Sequence, residues 1–398
     1  MINGDWSSDV CSSDLLISRA AAPHNSKEIG RIDKYEFYNS SYSNFPKQEL
    51  SPPDDDYSRE RDNAINNNSK DGVKPMTKEE QEYERQLNWK LIKKFTMAIF
   101  KMDVTRFSFP VGYNEPRTFL ERSADLFGFL TQIFLKKAID ETDPKRRLAL
   151  VAVGICAGYH LYLQQKKPWN PVLGETYVGR WENDVTIYGE QVSHHPPVSR
   201  IQIFDPNNEY KINAGFNFLI DSGVKQVDII QKGLTELEFK DGTVYQWEFP
   251  TIAVTGLLAG DRIVKVKNRL EIKDVKNNLL ATVDVNPKEN KAKNIIKPKQ
   301  TTIYGGVGEL TDDKKKRHEY SLIIHGDYCD SISIDDAIVW NIATNTIKRP
   351  LKEIPPEELL LSDCRYRIDR AYLIKGDMDK ADEAKTIIEE CQRHDYKR

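Results

Sequence analysis

The sequence has little cysteine, and none at a spacing that would give it a task. Its 398 residues include five, Cys11, Cys156, Cys329, Cys364 and Cys391, with no C-x-x-C pair. That excludes a disulfide framework and a cysteine zinc finger, and it fits reduced thiols in the cytosol. Histidine is scarce as well, with seven in the chain and no H-E-x-x-H, so a zinc site lacks its third ligand. There is no charge excess of either sign: 58 basic residues face 61 acidic ones, a net of -3. A general nucleic-acid binder leans on a basic field that is missing here. Long apolar runs are missing too. The longest, Leu148 to Tyr159, contains Gly154 and Gly158 and stops short of the ~20 residues a bilayer span needs, so it reads as a buried core helix. The N-terminus shows no basic stretch followed by an apolar one, hence no secretory leader. On these readings any membrane contact is peripheral, reversible and made from the cytoplasm. Nothing in the pattern calls for a cofactor.

What is present falls into zones. Residues 1–75 are rich in Ser, Asn, Asp and Pro and carry no apolar pattern, which predicts a disordered segment. Within it, Gly4 to Leu15 resembles a translated sequencing-adapter fragment more than a natural leader. On that reading the native start, and any targeting domains upstream, are missing. From Lys78 to Met102 the spacing changes: Leu87, Leu91, Phe95 and Ile99 recur at steps of four, one apolar face of a helix. That face either packs on the core or covers a cavity as a movable lid. Asn114-Glu115-Pro116 has a capping side chain and a first-turn proline, predicting a helix from there to about Ile139. Asp143-Pro144 opens another, which runs to about Gln164.

Period-two alternation then takes over, from Tyr177 to about Ile334. Val198-Ser-Arg-Ile-Gln-Ile-Phe204 and Thr235-Glu-Leu-Glu-Phe239 are typical strands, and Asp205-Pro-Asn-Asn208 and Lys240-Asp-Gly242 are typical turns. Many short strands with few helices between them predict an antiparallel meander closing toward a barrel, and a large barrel can hold a ligand. Asp377 to Asp395 reads as a terminal helix.

Three constellations can carry chemistry. The first is Glu190-Gln-Val-Ser-His-His-Pro-Pro-Val-Ser199. The prolines extend the chain before them. Adjacent extended residues point to opposite sides unless a bend or bulge re-aims them, so His194 and His195 can face one ligand only at such a place. Two imidazoles beside a phosphate can each donate a hydrogen bond. A hydrolytic Ser193/His dyad is disfavoured: there is no G-x-S-x-G elbow, and Ser193 stands too near His194 in the chain for a triad geometry. The second is Lys166-Lys-Pro-Trp-Asn-Pro-Val-Leu-Gly-Glu175, where Pro168 and Pro171 stiffen a corner that fixes Lys167 and Asn170. By itself this reads first as a structural helix-to-strand turn. The third is Lys385, Glu389 and Arg393 on one helix face, a pattern that by itself describes solvated ion pairs.

Together these strings resemble the oxysterol-binding-protein-related lipid-transfer proteins. Glu190 to Pro197 is similar to that family's signature. Phe109-Pro-Val-Gly-Tyr-Asn-Glu-Pro-Arg-Thr-Phe-Leu-Glu-Arg122, Lys167 to Thr176, and Ser362-Asp-Cys-Arg-Tyr-Arg-Ile-Asp369 with Gly376 to Asp379 match it in order. The resemblance covers about Lys78 to the end of the chain. It implies an α+β fold: a large incomplete antiparallel β-barrel (176–335) enclosing a lipid tunnel, an N-terminal lid (76–105, with Leu87, Leu91 and Phe95 as cover), a helical region (106–175) and a C-terminal helical region (336–398).

It also implies phosphatidylinositol 4-phosphate as ligand, bound by Lys167, Asn170, His194, His195, Lys385, Glu389 and Arg393. A second lipid, sterol or phosphatidylserine, would be exchanged for it between cytoplasmic membrane faces at endoplasmic-reticulum contact sites or the Golgi. A phosphoinositide-dependent sensor or scaffold without net transport is the alternative, and neither is an enzyme. Glu36-Phe-Tyr-Asn-Ser-Ser41 faintly resembles the motif that binds an endoplasmic-reticulum anchor protein. One departure stands out: Ile368 replaces the family's proline after Arg367, which predicts a looser turn there.

Overall fold

In the computed structural model, residues 57–69, 72–73, 82, 86, 110–163, 166–194, 196–222, 226–256, 262–287, 298–310 and 319–396 are described. The lid residues Leu87, Leu91 and Phe95, the Glu36–Ser41 motif and His195 lie outside them.

The helix α1, Ser58–Asn66, falls inside the stretch expected to be disordered. Its contacts explain why composition missed it. Tyr57, Glu60, Asn63 and Ala64 are buried, and they are held mostly by polar bonds. Tyr57 donates to Asp125 Oδ1 at 2.6 Å, and Arg349 Nη2 donates to Glu60 Oε1 at 2.7 Å. The helix thus needs little apolar area to dock. Beyond it, Gly72–Val73 joins the main sheet through Val73↔Val264.

The helix expected to start at Asn114 does not start there: Asn114–Thr118 is extended and runs parallel to Lys167–Trp169. Pro116 disfavours helical backbone at Glu115 before it. The helix α2, Phe119–Phe129, is instead capped by Thr118 and Glu121 in a capping box, with Thr118 N donating to Glu121 Oε2 at 3.1 Å. A wider turn, Leu130–Phe134, leads into α3, Leu135–Asp140. The next helix begins where expected: Asp143 caps α4, Pro144–Ala157, accepting from Lys145 N at 3.0 Å. From Leu148 on α4 is buried all round. Gly154 is needed where α4 crosses the wide turn, since a Cβ there would come within 2.9 Å of Phe134 Cβ.

Among the described residues, seventeen strands form one antiparallel sheet. The meander from Thr176–Arg180 through Thr186–His194 and Pro197–Phe204 reaches the long strand Tyr210–Ser222. There the sheet divides. The first half of that strand pairs with Thr235–Phe239, the second half with Gln226–Lys232. One branch continues to Thr251–Thr255 and Ile263–Lys267; the other runs through Val244–Trp247 to Ala337–Asn341. Among the described residues no ladder joins the last strand to the first, so the barrel is incomplete. The core helix α4 packs against Arg269–Asp274, Leu279–Val285, Thr302–Glu309 and Leu322–Asp327. The β region therefore extends to Asn341, past the expected end at residue 335, because the hairpin Ser331–Ile334 and Ala337–Asn341 closes the second branch. Helices α5, Ile368–Ile374, and α6, Met378–Tyr396, finish the described chain.

Candidate functional site

The histidine string sits at a rim of the sheet. Thr186–His194 and Pro197–Phe204 pair antiparallel, and His194↔Pro197 closes their turn. The ladder slips between Gln191 and Ser193, which makes Val192 a bulge, 44% exposed. A bulge is what a re-aimed side chain after it requires. The Gln191 side chain, buried, braces it from both ends. Its Nε2 donates to the Ser193 carbonyl at 2.7 Å, and its Oε1 accepts from Ser199 Oγ at 2.5 Å. Sequence reasoning quoted Gln191 and Ser199 and gave neither a role. His194, half-buried, ends the braced strand.

The proline corner is attached to that strand by its backbone. Gly174 N donates to the Gln191 carbonyl and Gln191 N to the Glu175 carbonyl, both at 2.9 Å. Val172 to Glu175 is a tight turn in which Gly174 takes φ +78°, the left-handed position that favours glycine. The Glu175 carboxylate closes it by accepting from Val172 N at 3.1 Å. Within the corner, Lys167 Nζ donates to Asn170 Oδ1 and to the Pro168 carbonyl, each at 3.3 Å. The two residues named together from the sequence are in contact.

The C-terminal segment reaches the same place. Arg367 donates from Nη1 to Glu175 Oε2 at 2.9 Å and to the Asn170 carbonyl at 2.8 Å, and its other donors grip Asp369. Its guanidinium lies 5.3 Å from the centroid of the Trp169 ring. Arg370 bonds the Pro116 carbonyl and Glu121, and Arg365 the Val178 carbonyl and Asp363. This arginine series stitches α5 to the corner, to α2 and to the first long strand. Ile368, where the family's proline was expected, is buried as the first residue of α5. It packs with Ala384 and Ile388 of α6 and with Val172 of the corner. The looser turn predicted there is a helix start, and the isoleucine side chain fills an apolar contact.

That contact sets α6 beside the corner. Lys385 is buried and donates to Glu389 Oε1 at 2.6 Å. Burial, then the Lys385 and Arg367 charges, pull the half-buried Lys167 ammonium down to about 7, against an opposing pull from Glu389. Arg393 lies two turns further along α6, and its side chain is outside the described residues. Burial pushes the Glu175 carboxyl up to about 7 although Arg367 faces it. Lys167, Asn170, Lys385 and Glu389 are thus brought together, with His194 on the strand bonded to the same corner.

Comparison with known proteins decides what this arrangement belongs to. The sequence profile described as oxysterol-binding protein matches residues 89–398. The chain belongs to the oxysterol-binding protein family. It is 29% identical over 327 residues to oxysterol-binding protein 9 of Dictyostelium discoideum, covering 79% of this chain and 76% of that one. It is 26% identical over 363 residues to oxysterol-binding protein-related protein 1 of Rattus norvegicus, 77% of this chain but 37% of that longer protein. In fold it is similar to the Osh3 ORD from Saccharomyces cerevisiae, solved in complex with PI(4)P, at a TM-score of 0.60 and 20% identity over 82% of this chain and 87% of that one. The Osh1 ORD domain, solved in complex with cholesterol, aligns at a TM-score of 0.61 and 22% identity over 74% of this chain and 76% of that one.

The contact between Arg367 and Glu175 was not legible in the sequence because it spans 192 residues. Their one sequence signal was charge placed inside strings that otherwise read as rigid or apolar.

Proposed function

We propose that the chain binds phosphatidylinositol 4-phosphate and exchanges it for a second lipid, a sterol or phosphatidylserine, between cytoplasmic membrane faces. The observation that carries this reading is the convergence just described: Lys167 feels the charges of Lys385 and Glu389, while Arg367 bonds the corner that presents Asn170. Two lysines beside one carboxylate, Lys167 and Lys385 with Glu389, suit a multiply anionic headgroup. His194 and His195 take the 4-phosphate with Arg393, and Lys167 and Asn170 take the inositol and its linking phosphate. Glu389 aligns Lys385 or accepts from inositol hydroxyls. The solved neighbours hold PI(4)P in one case and cholesterol or ergosterol in others, which supports one interior serving two lipids.

The acyl chains would occupy the apolar interior, since leaving them in water costs about 0.8 kcal/mol per CH₂. Two lipids competing for one interior make transport an exchange. No catalytic step enters this reading. The test is transfer between donor and acceptor vesicles, with mass spectrometry of lipid copurified with the protein. Accelerated phosphoinositide transfer that a His194→Ala, His195→Ala variant abolishes supports it. Tight binding without transfer leaves a sensor or scaffold in its place, and ester or phosphoester turnover overturns it.

A further inference from the structure

The headgroup rim has an apolar neighbour. Pro197–Phe204 pairs with the long strand in the register Val198↔Asn217. Continued two residues, that register brings Leu219 level with Pro196, in the turn after His194. Along the long strand Phe216, Phe218 and Ile220 share a face. Phe216 and Phe218 meet Phe119 of α2 at 5.3 and 4.6 Å between centroids, so this is the inner face. Ile220 is one repeat beyond that contact and 69% exposed, while Leu219 on the opposite face is 47% exposed. Large apolar side chains are thus bare on both faces of this strand end. Its partner arm adds Val227, Ile229 and Ile230, half-buried.

We propose that this hairpin end, led by Leu219 and Ile220, is a bilayer contact that seats the rim on a membrane surface. The occupant follows from continuity: the hairpin borders the turn assigned to a lipid headgroup, and a headgroup site can load only where a bilayer lies against it. Apolar side chains entering the headgroup layer gain what they lack in water. The proposal rests on the functional reading above.

The test uses the full chain carrying Leu219→Asp and Ile220→Asp together. Both positions are exposed, so the fold bears the change. Ile338→Asp, at a position 68% exposed on a distant strand, controls for added charge. The probes are phosphatidylcholine vesicles containing phosphatidylinositol 4-phosphate and a soluble short-chain form of the same lipid. The expected result is roughly tenfold weaker vesicle binding and extraction in the double variant, with unchanged binding of the soluble form and an unaffected Ile338 control. Vesicle binding equal to wild type overturns the proposal. So does equal vesicle binding with a shift in elution volume, which assigns the patch to a second copy of the chain. Wild-type failure to bind the soluble form instead overturns the functional reading, a separate result.

Discussion

Arg367 bonds both the carbonyl of Asn170, at 2.8 Å, and the carboxylate of Glu175, at 2.9 Å. Through this one side chain a segment near the end of the chain fixes a corner almost two hundred residues earlier. Glu175 in turn shares backbone hydrogen bonds with the histidine strand through Gln191. Three segments that carry candidate headgroup residues therefore meet at the Arg367–Glu175 pair.

Removing Arg367 also leaves the buried Asp369 carboxylate without its cation, at a cost of about 3–5 kcal/mol. Arg367→Ala should lower unfolding stability by roughly that amount and weaken phosphoinositide binding. Arg367→Lys should recover part of the stability but less of the binding, because an ammonium cannot hold Glu175, Asp369 and the Asn170 carbonyl in one plane. Denaturant unfolding alongside ligand titration checks this. Arg367→Lys with wild-type affinity would remove Arg367 as a positioning residue.

The bulge brace is tested by Gln191→Leu. The change keeps approximate volume but leaves the buried Ser199 hydroxyl and Ser193 carbonyl without these partners. An unsatisfied buried group costs about 1–3 kcal/mol. The expected outcome is a stability loss in that range together with weaker headgroup binding, since His194 follows directly on the braced segment. Stability loss with unchanged affinity would show that the bulge does not aim the histidine.

Acid sensitivity should come from the buried cluster around Asp125. Arg117, Arg122 and Arg349 hold its carboxyl down at about 2, against the opposing effect of burial. A depressed carboxylate contributes stability that is complete above its ordinary pKa, near 4, and is lost as pH falls toward 2. Urea unfolding of wild type should weaken through that window, and Asp125→Asn should be destabilised at neutral pH with a flatter acid limb. Because Tyr57 and Glu60 join this cluster, removing residues 1–66 should also destabilise the domain. Equal stability of that truncation would contradict the docking of α1.

These sites show where sequence reading succeeds and where it stops. Ile201, Ile203, Leu237 and Phe239 were legible as strand core because alternation records one buried face, and Asp143-Pro144 was legible because capping is local. Glu60 and Tyr57 were not: they are buried by ion pairs and a hydrogen bond, which leave no apolar pattern. Asn114 misled because a capping side chain before a proline looks the same ahead of a strand, and Thr118 with Glu121 offered the stronger box. That Lys167 and Asn170 sit in one stiff corner was readable, and the two are in contact. Arg367 was not, since its partner is remote and its surroundings suggested only a turn.

Lys167 gives the most direct measurement of the proposed headgroup site. Its ammonium is held near 7, well below an ordinary lysine, while a bound phosphate favours the charged form. Between pH 7 and the ordinary lysine value near 10.4, the free site lacks a proton that the occupied site holds, so binding must take one up. Calorimetric titration with soluble phosphatidylinositol 4-phosphate at pH 8, in buffers of different ionisation enthalpy, measures that proton. The account predicts net proton uptake and an affinity that falls as pH rises from 7 to 9, both diminished in Lys167→Arg, whose guanidinium stays charged. Binding that is independent of buffer and flat over the same pH range, or no binding of the soluble lipid at all, would contradict it.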